Sequence, residues 1–363
     1  GKYFHYVLCL SEAKGMDIIM KTLLEVKDLS VSYFTYAGEV QSVRGISFQV
    51  QQGKTVALVG ESGCGKSVTA KSIMGLIEKP GKIDEKSRII YDGENIEGYC
   101  EKEWNQFRGK KCSMIFQDAL VSLNPTMNVG KQIMENLQNH ISGMETSKEK
   151  MYEQAKEILE LVGIPDAKQC MKKYPHELSG GMRQRVMIAT AMITHPELLI
   201  ADEPTTALDV TIQAQILELM KNLQEKMKMA IVMITHDLGV VADIADEIIV
   251  MYAGKIVERG TCRDIFYRPV HPYTWALLRS VPRLDVSRKE PLISIEGNIP
   301  DMTNPPQGCA FCERCPYAMN ICGEYMPDEI EISNGHSAAC WLMDERADRR
   351  EVPFGVGGNR NER

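Results

Sequence analysis

The chain has 363 residues, room for two or three domains, with 44% hydrophobic and 25% charged residues, the make-up of an ordinary globular protein. Its formal net charge of −7 excludes a mainly electrostatic nucleic-acid binder, and no apolar run reaches the ~18 uncharged residues of a bilayer span. Of eleven cysteines, six are scattered and five fall between Cys309 and Cys340, a placement that suggests a reducing cytosol and metal-binding thiols rather than disulfides.

The N-terminal YFHYVLCL is apolar, but Glu12, Lys14 and Asp17 break it soon after and no basic region precedes it, so it does not read as a signal peptide. Met20 reads as the natural start, with residues 1–19 an upstream or cloning-derived extension. From about residue 22 to 60, LLEVKDLSVSY and VRGISFQV alternate apolar and polar, the pattern of antiparallel strands with one wet face. The apolar run TVALV then leads into GESGCGKS, Gly60 to Ser67, and the helix KSVTAKSIMGLI is expected to run on to the Pro80–Gly81 breaker.

GESGCGKS fits G-x-x-x-x-G-K-S/T, the phosphate-binding loop of nucleoside triphosphatases. A phosphate chain carries several negative charges, so its loop must offer many N–H donors with no side chains in the way. Gly60, Gly63 and Gly65 permit the bend and the close approach, Glu61, Ser62 and Cys64 lie between them, and Val68 follows in the helix whose positive end completes the site. Lys66 can reach the outer phosphates, and the Ser67 hydroxyl can ligate Mg²⁺.

Beyond the loop, SRIIYDG and KCSMIFQ read as strands, and residues from about 130 to 162 as helix, most clearly MYEQAKEILELVGI. LLIADEP and AIVMITHD are continuous apolar strands of a buried parallel sheet. The amphipathic TIQAQILELMKNLQEKM between them makes a β-α-β unit. Asp202 and Glu203 fall at a strand end, where α/β ligand sites form: Asp202 to hold Mg²⁺, Glu203 to polarise the water that attacks the γ-phosphate. In LSGGMRQR, Leu178 to Arg185, the residues Ser179, Gly180 and Gly181 set a hydroxyl and N–H groups at a helix start, a second anion site. One chain rarely needs two such sites for one phosphate chain; two chains packed head to tail would close both on the same nucleotide. DEIIVMYAGKIVERG reads as a hairpin turning at Ala253–Gly254, and after Arg268 prolines become frequent, placing a domain boundary near residue 265.

Together these stretches resemble the ATP-binding subunit of an ABC transporter, over about residues 22 to 335. The resemblance makes GESGCGKS the Walker A element, LLIADE the Walker B element and LSGGMRQR the ABC signature. It matches Gln117 in IFQD to the Q-loop, which touches Mg²⁺ and the attacking water and contacts the membrane subunit. It matches Asp209 in TALD to the D-loop across a dimer, and His236 in ITHD to the switch histidine that senses the γ-phosphate. The adenine needs a flat platform; Tyr33, Phe34 and Tyr36 qualify, and strand register against family members favours Tyr33, with Tyr36 in reserve. The implied fold is an α/β P-loop NTPase, an ABC nucleotide-binding domain with a parallel-sheet core, an antiparallel β subdomain and a helical subdomain, plus a small irregular metal-binding C-terminal extension. The expected organisation is an N-terminal extension over 1–19 and an ATPase domain over 20–265, its helical subdomain about 118–185. A cysteine-bearing extension follows over 266–345, then a tail over 346–363 expected to be disordered.

QDALVSLNPTMNVGKQI and RPVHPYTWALLRSVPRLD resemble oligopeptide and dipeptide importers; from the residues alone the second is a packing element, with no chemistry assigned to His271. Relatives in this group also move nickel or other small solutes. The spacing Cys309-x2-Cys312-x2-Cys315-x6-Cys322-x17-Cys340 offers five thiolates for four ligand positions of a zinc or iron–sulfur site. Local pattern favours C-x2-C-x2-C, whereas the importer spacing selects Cys309, Cys315, Cys322 and Cys340, with Cys312 left over. A structural 4Fe–4S cluster is preferred to Zn²⁺. The resemblance thus implies an ATPase using ATP and Mg²⁺, peripheral on the cytoplasmic face of the membrane. Its partners would be two transmembrane permeases, a second ATP-binding subunit (identical or paralogous) and an extracytoplasmic peptide-binding protein, with no nucleic acid. A soluble ABC ATPase of DNA repair or translation is the rival, but it predicts duplicated cassettes or long coiled coils and a basic face.

Overall fold

In a computed structural model, residues 21–140, 147–206, 208–280 and 295–347 are described. The expectations for residues 1–20 and 348–363 lie outside them.

Thirteen strands among the described residues form two sheets. In chain order they are β1 (Thr22–Thr35), β2 (Gly38–Gln51), β3 (Thr55–Val59), β4 (Gly81–Ile83), β5 (Arg88–Tyr91), β6 (Glu94–Asn95), β7 (Cys112–Ile115), β8 (Leu198–Asp202), β9 (Ala230–Thr235), β10 (Glu247–Tyr252), β11 (Lys255–Thr261), β12 (Ile330–Ser333) and β13 (His336–Ala338). The smaller sheet is antiparallel, ordered β2-β1-β5-β6 with β4 beside β1. The larger is ordered β12-β13-β11-β10-β3-β9-β8-β7; β10, β3, β9, β8 and β7 run parallel, and β11, β13 and β12 continue it antiparallel.

The parallel strands are apolar throughout because both faces are covered. TVALV and LLIAD are buried at every position, and alternate residues serve opposite cores, as the two-residue period of a strand requires. Val56, Leu58, Val232 and Ile234 pack with the β1–β2 ribbon. Ala57, Val59, Ile231 and Met233 pack on the helices Val129–His140, Lys148–Leu161, Gly180–Met192 and Val210–Met227. The 253–254 turn forms as expected, with Ala253 at φ 45° and Gly254 at φ 77°, the left-handed pair of a two-residue hairpin.

One expectation changes. The helix after the phosphate loop ends at Ile73 rather than running on towards residue 77. Gly75 sits at φ 61°, and a Cβ there would lie 2.5 Å from the Trp104 ring, so a left-handed helix stop is built in. The small C-terminal extension packs onto the ATPase domain: β13 pairs with β11, and Tyr273, Cys309, Phe311 and Cys322 belong to the same core as the ATPase helices.

Candidate active site and cysteine lobe

Four neighbouring parallel strands deliver the site to one sheet edge. The phosphate loop follows β3, Gln117 follows β7, Glu203 follows β8, and His236 follows β9. Parallel strands place these C-terminal ends side by side, the geometry on which α/β sheets build ligand sites.

Two glycines of the loop have steric reasons. A Cβ at Gly60 would lie 2.2 Å from the Met251 carbonyl oxygen, and one at Gly65, at φ 104°, 2.5 Å from the Ser42 oxygen. Only a bare backbone fits between β10 and β2. Lys66 starts the helix Lys66–Ile73 and is 5% exposed. Its Nζ donates to the loop's own carbonyls, Gly60 at 2.6 Å and Glu61 at 2.9 Å, so the ammonium lies across the loop. Cys64 is buried beside it, and burial raises its thiol pKa. Ser62 and Gly63 are exposed, and Val68 packs part-buried against the β1–β2 core.

The Ser67 hydroxyl donates to Asp202 Oδ1 at 3.0 Å. Burial raises the Asp202 pKa, and the Ser67 hydrogen bond only partly offsets it. A buried carboxylate and a hydroxyl in contact form an oxygen donor pair that fits Mg²⁺, whose charge would offset that desolvation.

Glu203 is the convergence point. Its Oε2 accepts from Gln117 Nε2 at 3.0 Å and from Thr206 Oγ1 at 2.8 Å, while Oε1 faces His236 Nδ1 at 3.1 Å. Burial pushes its pKa up, but the His236 and Thr206 contacts and the Lys66 charge prevail and hold it below the usual carboxylate value. Its backbone sits at φ 47°, a left-handed conformation that a glutamate adopts only when its surroundings hold it there; its N–H donates to the Ile234 oxygen at 2.9 Å. An ionised carboxylate aimed by three donors can accept a proton from water. Thr206 carried no sequence signal, since only the turn after β8 brings it back onto Glu203.

Ser179, Gly180, Gly181 and Asp209 do not join this cluster. Ser179 caps the helix Gly180–Met192 and accepts from Met182 N, with Ser179 and Gly180 exposed and Gly181 part-exposed. Asp209 caps Val210–Met227 by accepting from Ile212 N at 3.0 Å. Tyr33 is half-buried, with its ring against Gly81, whereas Phe34 and Tyr36 are exposed.

The metal centre expected in the extension is not shown: among the described residues no group of three or more His, Cys, Asp or Glu could hold a metal ion. The thiols are nonetheless gathered and unbridged. Cys309, Cys322 and Cys340 are buried and Cys315 and Cys312 half-buried, all free. Burial, reinforced by the neighbouring thiols, pushes Cys309 up to about 11 and Cys315 and Cys340 up to about 12. Nearby, Glu258 is fully buried and accepts from Val270 N at 2.8 Å and His271 N at 3.0 Å, and faces His336 Nε2 at 2.9 Å. His271 joins this junction through its backbone N–H, while its ring Nδ1 accepts from Tyr273 N at 3.1 Å.

Comparison with known proteins agrees with this geometry. Residues 43–206 match the ABC transporter family, and residues 257–322 match the oligopeptide/dipeptide transporter C-terminal region. The oligopeptide transport ATP-binding protein OppD of Bacillus subtilis (strain 168) is 54% identical over 334 residues, 92% of each chain. The dipeptide transport ATP-binding protein DppD of Lactococcus lactis subsp. cremoris (strain MG1363) is 53% identical over 325 residues, 90% of this chain and 92% of that protein. The dimeric post-hydrolysis structure of the ATP-binding cassette MJ0796 bound to ADP and Pi superposes with a TM-score of 0.60 at 25% identity, covering 66% of this chain and 99% of that one.

Proposed function

The chain belongs to the family of ABC transporter ATP-binding proteins, and we propose that it is the ATPase subunit of an importer of oligopeptides or dipeptides. The observation that carries the reading is the convergence of Gln117, Thr206 and His236 on Glu203, beside the Ser67–Asp202 pair.

In this reading the loop N–H groups and Lys66 bind the phosphates of ATP, and Tyr33, with Tyr36 in reserve, supports the adenine. Ser67, Asp202 and Gln117 hold Mg²⁺, which supplies charge neutralisation for the phosphoryl oxygens. Glu203 takes a proton from the attacking water, and His236 orients Glu203 and senses the γ-phosphate. The exposed Ser179, Gly180 and Asp209, with the part-exposed Gly181, close the site of a second subunit, identical or paralogous. The names of the OppD and DppD relatives supply the peptide cargo; nickel or another small solute is the alternative.

Among the described residues no helix is long and apolar enough to cross a membrane. The channel then comes from two permease partners on whose cytoplasmic side this subunit sits, and an extracytoplasmic binding protein delivers the peptide. Cys309, Cys315, Cys322 and Cys340 hold a 4Fe–4S cluster that staples the extension. The gathered, unbridged thiols support this, and Zn²⁺ on the same four thiolates is the alternative.

Expression of the intact chain should restore peptide uptake to cells lacking their own such subunit, and K66A should abolish both that uptake and tight MgATP binding. Restored nickel uptake without peptide uptake would refute the cargo, and an active K66A protein would refute the phosphate loop.

A further inference from the structure

The phosphate loop is gripped from outside as well as from within. Arg314, between Cys312 and Cys315 in the cysteine lobe, reaches back to Glu61, the second residue of the loop. Its Nη1 donates to Glu61 Oε2 at 2.7 Å and its Nη2 to Glu61 Oε1 at 3.0 Å, the paired fork of a guanidinium on a carboxylate. The remaining donors are also used: Nη1 on Tyr252 Oη at 3.2 Å, Nη2 on the Ile295 oxygen at 3.0 Å, and Nε on the Glu296 oxygen at 2.9 Å. All five N–H groups therefore have acceptors, and the Arg314 side chain is 4% exposed against 25% for Glu61. Tyr273, fully buried, accepts from Glu61 N at 2.8 Å. The same stretch of the extension is tied to β2 behind the loop, where Gln41 N donates to the Met302 oxygen at 3.0 Å and Arg44 Nη2 to the Pro306 oxygen at 3.2 Å.

This arrangement answers an electrostatic difficulty. A loop built to hold a polyanion carries a carboxylate of its own, and like charges in a partly desolvated site repel strongly. A rigid guanidinium that neutralises the carboxylate and fixes its direction removes the conflict, which a flexible lysine would do less well. Surface ion pairs contribute little, but this one is closed off from water on the arginine side and is anchored to backbone at Ile295 and Glu296.

We propose that Arg314 is a positioning residue for the triphosphate: it neutralises the Glu61 carboxylate and, with Tyr273 holding the Glu61 backbone N–H, keeps that residue outward, so that the cysteine lobe sets the affinity of the phosphate loop for MgATP. The proposal rests on the ATPase reading above. It assigns the extension a role in nucleotide binding through contacts independent of any metal.

The test is MgATP binding by calorimetry and steady-state hydrolysis in the full chain, comparing the parent protein with R314M and with the double variant E61Q/R314M. R314M leaves the Glu61 charge uncovered and should raise Kd and KM for ATP about tenfold, with kcat within about twofold. Adding E61Q deletes the uncovered charge and should bring Kd back to within about threefold of the parent, a rescue that a merely structural arginine would not allow. Thermal melting checks folding; should R314M fail to fold, R314K keeps the charge without the fork and should show an intermediate loss. A Kd for R314M within about twofold of the parent, or a double variant as weak as R314M, overturns the proposal. Failure of the parent itself to bind MgATP would instead sink the ATPase reading.

Discussion

Replacing Glu203 by glutamine separates the chemistry of the site from its architecture. The carboxylate accepts from Gln117 Nε2 and Thr206 Oγ1 on one oxygen and faces His236 Nδ1 with the other. In E203Q the amide oxygen can keep the first two donors. The amide NH₂ then faces His236 Nδ1, which can accept once its proton sits on the other ring nitrogen. The pocket therefore retains all its partners, and folding stability should change by no more than about 1 kcal/mol. What disappears is a base: an amide cannot take a proton from water, and loss of a positioned general base typically lowers turnover by about 10²–10⁴-fold. Single-turnover hydrolysis at saturating MgATP, followed by phosphate release, should show that drop with nucleotide affinity intact. Stalled before hydrolysis, E203Q should also accumulate as a nucleotide-bound dimer or a closed complex with its membrane partners. A variant whose turnover stays within about tenfold of the parent would refute the base assignment, because no other loss can be compensated so completely.

Three further outcomes follow from the extension. E258A should be strongly destabilised, by about 3–5 kcal/mol, because it leaves Val270 N, His271 N and His336 buried without their acceptor; a urea midpoint equal to the parent's would contradict this. Burial pushes the His271 pKa to about 3 from an ordinary 6.5. Unfolding lets it take up a proton, so stability is complete above pH 6.5 and falls as the pH drops towards 3, at about 1.4 kcal/mol per unit for this group. H271N should show a shallower acid slope in denaturant titrations at pH 7, 6 and 5, and an unchanged slope counts against burial as the cause. Anaerobically purified protein should be brown and carry about four irons per chain, and C340S should lose most of that iron; colourless protein with one zinc overturns the cluster assignment.

What could be read from the residues was what depends on neighbours along the chain. The loop, the helix start at Ser179, the apolar strands and the Ala253–Gly254 turn are local matters of backbone conformation and period. Partnerships that only the fold creates were invisible. Arg314 and Glu61 lie 253 residues apart, so nothing in CAFCERCP or GESGCGKS announces their contact. Glu258 in KIVERG alternates like an outward-facing strand residue, yet it is fully buried, because the strand's second face is covered by residues 270, 271 and 336. The helix Glu101–Phe107 was also missed. Its sequence is short and charged, and its place is set by Trp104 and Phe107 packing edge-on with each other and Tyr99, not by a strong apolar period.

The helix that begins after Ser179 and the strand end carrying Glu203 are mechanically joined although Ser179 does not join the Glu203 cluster. Gln184, buried in the helix that begins after Ser179, donates through its side chain to the Pro204 oxygen, one residue beyond Glu203. A Cβ on Gly181 would lie 3.0 Å from Ile212, so the start of that helix packs against the helix capped by Asp209. Arg183 Nε fastens the preceding turn through the Pro175 oxygen at 2.8 Å. Ser179, Asp209 and the strand end carrying Glu203 thus belong to one packed block, and packed interiors shift between discrete arrangements rather than deform freely. In the proposed dimer, a partner subunit's nucleotide that drew in Ser179–Gly181 would pull on Pro204, and so on the neighbouring Glu203 carboxylate, using only contacts within a single chain.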